Sequence, residues 1–343
     1  MSMRIFALAL SLMSILTLAT ASLHGDEPAE VNRPLRAGII GADTSHVTAF
    51  TKAFNNPKAE GPVADVKVVA FYPGGSPDIA ASRDRVEGYT RQLRDMGLEV
   101  CDSIEQLLDK VDVVLLESID GRPHFAQAIP VFKAGKPVFI DKPLAGSLVD
   151  AVRIYRLAEK YKVPCFSSSS LRFSAGFQQM RNDPPIGQVV GCDAYSPCSL
   201  EPHHPDLFWY GIHGVEILFT IMGTGCETVS RTHTAGTEFA VGTWSDGRIG
   251  TFRGIRKGRA DYGALVFGTK GIRSGGRYDG YDPLVVEIAK FFKTGKPPVS
   301  AEETLEIYAF MEAADESKRC GGAPVSIKEV MEKAEAEADG EDH

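Results

Sequence analysis

Between Val111 and Pro143 the chain reads as an apolar strand, a turn, an apolar-periodic helix and a second strand, and then delivers a lysine, Lys142, into a turn. The order is Val111-Asp112-Val113-Val114-Leu115-Leu116-Glu117, a Gly121-Arg122-Pro123-His124 turn, a helix to Ala134, and Gly135-Lys136-Pro137-Val138-Phe139-Ile140-Asp141-Lys142-Pro143. Strands joined by helices imply right-handed βαβ units and a parallel sheet. In open α/β sheets ligands bind beyond the carboxyl ends of the strands, which places His124 and Lys142 at a binding crevice.

The alternation extends in both directions. The pattern predicts a strand over 35–41, a helix over 45–55, a strand over 66–71, helical spacing over 79–96, a short strand at 99–100 and a helix over 103–110 capped by Ser103. An amphipathic helix over 148–161 and a strand over 163–167 follow. Residues 35–165 thus form a doubly wound, dinucleotide-type domain. Beyond it the style changes to strand-like segments over 188–195, 227–234, 237–244, 248–254 and 263–267, with Asp246-Gly247 supplying a hairpin turn. One long helix over 206–222 ends at Gly223, and helices over 284–294 and 302–319 close the domain. The fold class expected is α/β, with an N-terminal Rossmann-type parallel sheet followed over 166–327 by an α+β domain with a largely antiparallel sheet.

Residues 1–21 stand apart: a short basic start containing Arg4, an almost wholly apolar run over 5–19, and Ala19-Thr20-Ala21, a small-x-small cleavage pattern. The apolar run is shorter than the roughly 20 residues a spanning helix needs. A Sec-type signal peptide is therefore expected, followed by a polar linker over 22–34, and with it a periplasmic or secreted protein. Removal would leave about 320 residues, enough for two packed domains. The formal net charge of −8 argues against nucleic acid and against anionic membrane surfaces as partners. Part of that charge lies in an acidic, helix-prone tail over 328–343. Six cysteines carry no CxxC pair, so zinc-site spacing is absent; Cys192 and Cys198 are the nearest couple in sequence.

Several ordered motifs resemble one family. The run from Ala134 to Ala145 is similar to the AGKxVxxEKPxA signature of the glucose-fructose oxidoreductase / inositol dehydrogenase family, also called Gfo/Idh/MocA. His124 matches that family's histidine in the preceding turn. Trp209-x-Gly211-x-His213-x-x-Glu216 resembles its DxGxHxxD helix, and Phe291 to Val299 and Ala313 to Ser317 resemble its FxxxGxxPxV and AAxxS pieces. The resemblance spans 35–327. It implies a Rossmann domain and an open-faced sheet domain holding NAD or NADP and a sugar or polyol between them, and homo-oligomerisation through the open sheet face.

Moving a hydride from a carbinol carbon requires a group to take the hydroxyl proton and one to hold the oxygen as charge builds. Through the resemblance, His213 is the candidate acid/base and Lys142 the candidate oxygen clamp. A lysine before proline in a strand-end turn is ordinarily a solvated residue, and a histidine in an apolar helix ordinarily a core residue; position and motif together favour the site.

Three departures stand out. Trp209 occupies the place of the family's aspartate four residues before the histidine; Asp206 and Glu216 lie near the same helical face and could substitute. Trp209 itself could stack on a sugar ring or anchor the core. The phosphate loop, Gly41-Ala42-Asp43-Thr44-Ser45-His46, keeps only the first glycine of GxGxxG. Either Asp43 or Thr44 caps the helix while backbone N–H groups still face a dinucleotide, or affinity is reduced or lost. Finally, the second strand ends Phe71-Tyr72-Pro73-Gly74-Gly75-Ser76 without an acidic residue for a 2′-hydroxyl. Arg83 and Arg85 downstream could receive a 2′-phosphate, a slight preference for NADP.

The cofactor set expected is Gly41, Ala42, Asp43, Thr44, Ser45, His46, Tyr72, Gly74, Ser76, His124, Asp141 and Lys142; the substrate set is Arg172, Asp206, Trp209 and Glu216. His203, His204, Asp206 and His213 lack the geometry of a metal set, so no metal is expected. The leading function is an NAD(P)-dependent oxidoreductase of a carbohydrate or polyol. Two alternatives remain open: an exported, non-redox carbohydrate-binding accessory protein, and a glycosidase-like enzyme that recycles a bound nicotinamide.

Overall fold

The structure, a computed structural model, describes residues 33–340. The expected signal peptide, and the linker as far as residue 32, lie outside the described residues. The first sheet is built from β1 (Leu35–Ile40), α1 (His46–Phe54), β2 (Val66–Tyr72), α2 (Ala80–Arg83), α3 (Val86–Asp95), β3 (Glu99–Val100), α4 (Ile104–Leu108), β4 (Val113–Leu116), α5 (His124–Lys133), β5 (Val138–Ile140), α6 (Leu148–Tyr161) and β6 (Cys165–Ser167). Its strand order is β3-β2-β1-β4-β5-β6, all pairings parallel, which is the doubly wound Rossmann order with its switch point between β1 and β4. The central strands are apolar at nearly every position because helices cover both faces; Val113 to Leu116 are all buried.

The second half contains α7 (Ala175–Gln178), β7 (Val189–Pro197), α8 (Asp206–Trp209), α9 (Ile212–Met222), β8 (Cys226–Thr234), β9 (Thr237–Trp244), β10 (Ile249–Ile255), β11 (Gly263–Gly268), β12 (Ile272–Gly275), α10 (Asp282–Thr294), α11 (Ala301–Arg319), β13 (Val325–Ser326) and α12 (Ile327–Gly340). Its sheet runs β12-β11-β7-β10-β9-β8-β13, antiparallel except where β10 pairs with β7. The expected α/β plus α+β class is the one observed.

Helix α9 is buried along its whole length and lies against this sheet. Gly214 permits the approach: a Cβ there would stand 2.2 Å from Phe252 of β10. Two helices cross between the halves. Leu284, Val285, Ile288 and Phe291 of α10 pack into the Rossmann core with Phe50, Phe139 and Phe166. The acidic stretch forms α12, which buries Ala334 and Ala338 and ties Arg156 of α6 to Asp339 at 2.7 Å. The six cysteines are free thiols, five of them buried. No helix among the described residues is long and apolar enough to cross a membrane.

Candidate active site

A cavity of about 260 Å³ lies at the strand-end loops. One wall comes from the first sheet: Thr44, Ser45 and His46 after β1, Arg85 before α3, Ile119 after β4, Lys142 after β5, and Ser170 and Leu171 after β6. Tyr210, His213, Tyr262, Tyr278 and Tyr281 from the second half form the other. Lys142 and His213, 71 residues apart by their numbers, therefore share one cavity.

Lys142 is 8% exposed, and its ammonium donates no hydrogen bond to a described residue. His213, second in α9, places Nδ1 2.7 Å from Ser169 Oγ, which also accepts the Leu171 N–H at 3.3 Å. A hydroxyl can donate to or accept from the ring, so Ser169 serves either tautomer and leaves Nε2 for a ligand. Burial, and then the nearby Lys142 and His46, hold the imidazole well below its ordinary pKa.

Aromatic rings complete the wall. Tyr210 lies edge-on to His213 at 5.0 Å, its hydroxyl 3.3 Å from that of Tyr262, and Tyr278 and Tyr281 continue the row at 5.9 Å. Burial raises the Tyr262 and Tyr278 hydroxyls, which stay protonated donors at neutral pH.

Several expected site residues are engaged elsewhere. The single helix expected over 206–222 is interrupted between Trp209 and Ile212, so its three- and four-residue offsets do not share one face. Asp206 instead binds Arg231 at 2.7 Å and Lys318 at 2.5 Å. Trp209 packs its ring 4.9 Å from His204. Glu216 accepts from Arg172 Nε at 2.5 Å and Ser168 Oγ at 2.7 Å, and Arg172 reaches Glu303 at 2.6 Å. None of Arg172, Asp206, Trp209 and Glu216 lines the cavity: the three charged residues found partners within the protein, and Trp209 packs on His204. His124 likewise turns inward. It is fully buried, with Nδ1 3.1 Å from the Leu144 carbonyl and Nε2 2.9 Å from that of Ser118, and staples two strand-end loops together.

Of the expected cofactor residues, Thr44, Ser45, His46 and Lys142 line the cavity, whereas Gly41, Ala42, Asp43, Tyr72, Gly74, Ser76, His124 and Asp141 do not. Gly41 has φ +93°, and a Cβ there would stand 2.5 Å from the Ser118 backbone nitrogen, so the tight turn after β1 is intact. Its N–H and that of Ala42 bind the carbonyls of Tyr72 and Pro73. Gly74 runs close beside Gly41, while Ser76 donates its hydroxyl to Asp120 at 2.6 Å. Asp43 does not cap α1. It accepts from Ser82 Oγ at 2.6 Å and Ile119 N–H at 2.9 Å, and burial pushes its carboxyl up towards the uncharged form. The carboxylate that threatened to repel a pyrophosphate is thus tied off. Arg85, exposed and without a partner among the described residues, supplies a cation at the cavity, whereas Arg83 is held by Asp84 at 3.0 Å. These residues fit a dinucleotide phosphate.

His203 binds Glu201 at 2.7 Å, His204 lies 3.1 Å from Asp120, and Asp206 and His213 go to the partners above, so the four do not meet. The structure groups a different trio: His46 Nδ1 lies 2.7 Å from Asp141 Oδ2 and 3.8 Å from Glu117 Oε2. Glu117, Ser169 and the four tyrosines were not singled out from the sequence. Glu117 carried a signal, as the charged end of an apolar strand. Ser169, one of four consecutive serines, and the scattered tyrosines carried none.

The fold and crevice define a two-domain protein built on an N-terminal Rossmann sheet. Residues 35–169 match the sequence model of GFO_IDH_MocA, the oxidoreductase family with an NAD-binding Rossmann fold. YceM of Salmonella typhimurium, named as a candidate oxidoreductase, is 27% identical over 126 residues, 34% of this chain and 41% of its own length. Among solved structures, one described as a dehydrogenase from Thermotoga maritima superposes with a TM-score of 0.72 at 21% identity, covering 86% of this chain and 100% of its own. The myo-inositol 2-dehydrogenase of Lactobacillus plantarum gives 0.68 at 17% identity, covering 86% and 99%. These likenesses extend the shared fold to the second domain.

Proposed function

We propose that the protein is an NAD(P)-dependent oxidoreductase acting on a sugar, polyol or related carbohydrate. The observation that carries the reading is the meeting of Lys142 and His213 at one cavity of about 260 Å³. The similarity to myo-inositol 2-dehydrogenase supports a polyhydroxylated substrate, and tyrosine hydroxyls on one wall suit such a ligand. Thr44 and Ser45 at the start of α1, with Arg85, would hold the dinucleotide phosphates. The unpaired Arg85 agrees with the slight preference for NADP. When bound, the nicotinamide accepts or supplies the hydride.

The chain's own residues handle the proton. In oxidation, Nε2 of His213 takes the substrate hydroxyl proton, while the Lys142 ammonium donates to the same oxygen and stabilises the charge that develops there. Ser169 keeps the ring oriented through Nδ1. Because burial disfavours the imidazolium, the proton is handed on readily, and the neutral ring is restored.

Steady-state assays with NAD or NADP and a panel of polyols test the reading. Lys142→Met and His213→Asn should each lower kcat by about 10²–10⁴-fold with folding intact by circular dichroism. Unchanged turnover in either variant removes that residue from the mechanism. Saturable quenching by NADH or NADPH is expected for the wild type; its absence leaves the accessory carbohydrate-binding reading. The apolar run over 5–19 favours one variant of the proposal, because a free nicotinamide pool is not expected outside the cytoplasm. In that variant an exported enzyme retains its cofactor through oxidation, elimination and re-reduction, and nicotinamide co-purifies with the protein.

A further inference from the structure

Beyond three neighbouring strands of the first sheet lie His46, Glu117 and Asp141, to which the proton and hydride steps above give no part. Glu117 follows β4 and Asp141 follows β5, and the residues before them, Leu116 and Ile140, are register partners, so the two carboxylates leave adjacent strand ends side by side. His46 opens α1, the helix that follows β1 on the other side of β4. The ligand atoms of all three lie within 4.8 Å of one another.

The polar accounting of this cluster is incomplete. Glu117 is fully buried and Asp141 is 1% exposed, yet none of their four carboxylate oxygens has a hydrogen bond of acceptable geometry. His46 Nδ1, at 2.7 Å from Asp141, is likewise left without one. Other buried carboxylates face guanidinium groups: Glu216 has Arg172 and Ser168, Asp120 has Arg122 and Ser76, and Glu238 Oε1, which also lacks an acceptable hydrogen bond, lies 2.7 Å from Arg256. Native structures leave few buried polar atoms unpaired, and such a group calls for a specific explanation. Lys142 offers one positive charge nearby, shared between the two carboxylates and the cavity.

We propose that His46 Nδ1, Glu117 and Asp141 form a binding site for one divalent cation of intermediate softness, Mn²⁺ or Zn²⁺, at the switch point of the Rossmann sheet. One imidazole nitrogen and two carboxylates match the donor preference of such ions. Nitrogen and oxygen ligands about 2.0–2.2 Å from an ion stand roughly 3 Å apart when adjacent and about 4 Å apart when opposite, so separations of 2.7 and 3.8 Å need only small adjustment. Phe50 stacks on the His46 ring at 5.5 Å and Tyr281 meets its edge at 4.7 Å, which fixes the imidazole for coordination. An ion there neutralises two charges buried beside the cavity wall and adds a fixed positive charge next to Lys142. The site assigns these residues a task independent of hydride transfer, and it departs from the expectation of no metal.

The test uses the full chain, stripped with a chelator and titrated with MnCl₂ while free Mn²⁺ is followed by electron paramagnetic resonance. One Mn²⁺ per chain is expected, displaced by Zn²⁺, with at least tenfold weaker binding in both Glu117→Gln and Asp141→Asn, each checked for native circular dichroism. The spin-echo spectrum of bound Mn²⁺ should show one imidazole nitrogen that disappears in His46→Gln. No saturable Mn²⁺ binding by the wild type, wild-type affinity in a folded carboxylate variant, or a bound ion without the nitrogen coupling would each overturn the assignment. NADH quenching on the same samples reports separately on the dinucleotide, so failure of one reading does not mimic failure of the other.

Discussion

Ser169 Oγ stands 2.7 Å from His213 Nδ1, and these two side chains come from a strand-end turn of the first sheet and a helix of the second half. This hydroxyl is the hydrogen-bond partner of the histidine ring, while Trp209, four residues before the histidine, lies in a separate helix. Ser169→Ala removes one hydrogen bond of about 1–1.5 kcal/mol, so kcat is expected to fall about tenfold. Dinucleotide affinity should stay unchanged. A variant with full kcat, or one that loses affinity rather than rate, would show that the serine does not position the ring.

The depressed pKa of His213 makes a pH prediction. Its folded-state value lies well below the ordinary 6.5, chiefly through burial. Below pH 6.5 the unfolded chain therefore binds a proton that the folded chain does not, and the histidine's contribution is complete above that pH and lost on acidification. Other groups oppose this trend: burial raises Glu117, and Asp315 is pushed up to about 7, so the stability of the wild type alone is ambiguous. The difference between wild type and His213→Gln isolates the effect. In urea titrations that difference should shift against the wild type by up to about 1.4 kcal/mol per pH unit below 6.5. A pH-independent difference between 7.5 and 5.5 would contradict a buried neutral imidazole.

Glu216 and Arg172 resemble substrate contacts in sequence but form a buried pair at 2.5 Å. Glu216→Leu leaves a buried guanidinium short of a partner and should lower unfolding free energy by about 3–5 kcal/mol. The double variant Arg172→Met/Glu216→Leu should recover part of that loss. Substrate KM in the folded fraction should change less than about threefold; a large KM effect with native stability would return both residues to the binding site.

At Gly41, alanine would have to adopt φ +93° and place a methyl against the Ser118 backbone. Gly41→Ala is expected to be destabilising by at least about 1–3 kcal/mol from the backbone conformation alone. Because that turn aims Thr44 and Ser45 at the cavity, NADH quenching should weaken as well. Native stability with unchanged quenching would mean that the turn can be rebuilt without the glycine.

Much of the fold was legible in residues 35–167, since apolar strands alternating with amphipathic helices leave few topologies. Lys142 and His213 were legible because each sits within a motif anchored to a strand end or helix. The break at Tyr210 and Gly211 was not, since a single glycine costs a helix only about 1 kcal/mol and does not by itself dictate a break; α8 is held by the ion pairs of Asp206 with Arg231 and Lys318. For the same reason Arg172 and Glu216 looked available: a charged residue's partner is a long-range contact, here 44 residues away.

The alternation of strands and helices and the lysine that follows β5 were set by local periodicity and turn chemistry, which a sequence displays directly. Which polar groups face the cavity, which are neutralised inside the protein and which stay buried without a hydrogen bond, as at Glu117, depended on chain segments brought together only by tertiary packing. Charge pairing and desolvation are properties of that packed environment, and no single stretch of residues carries them.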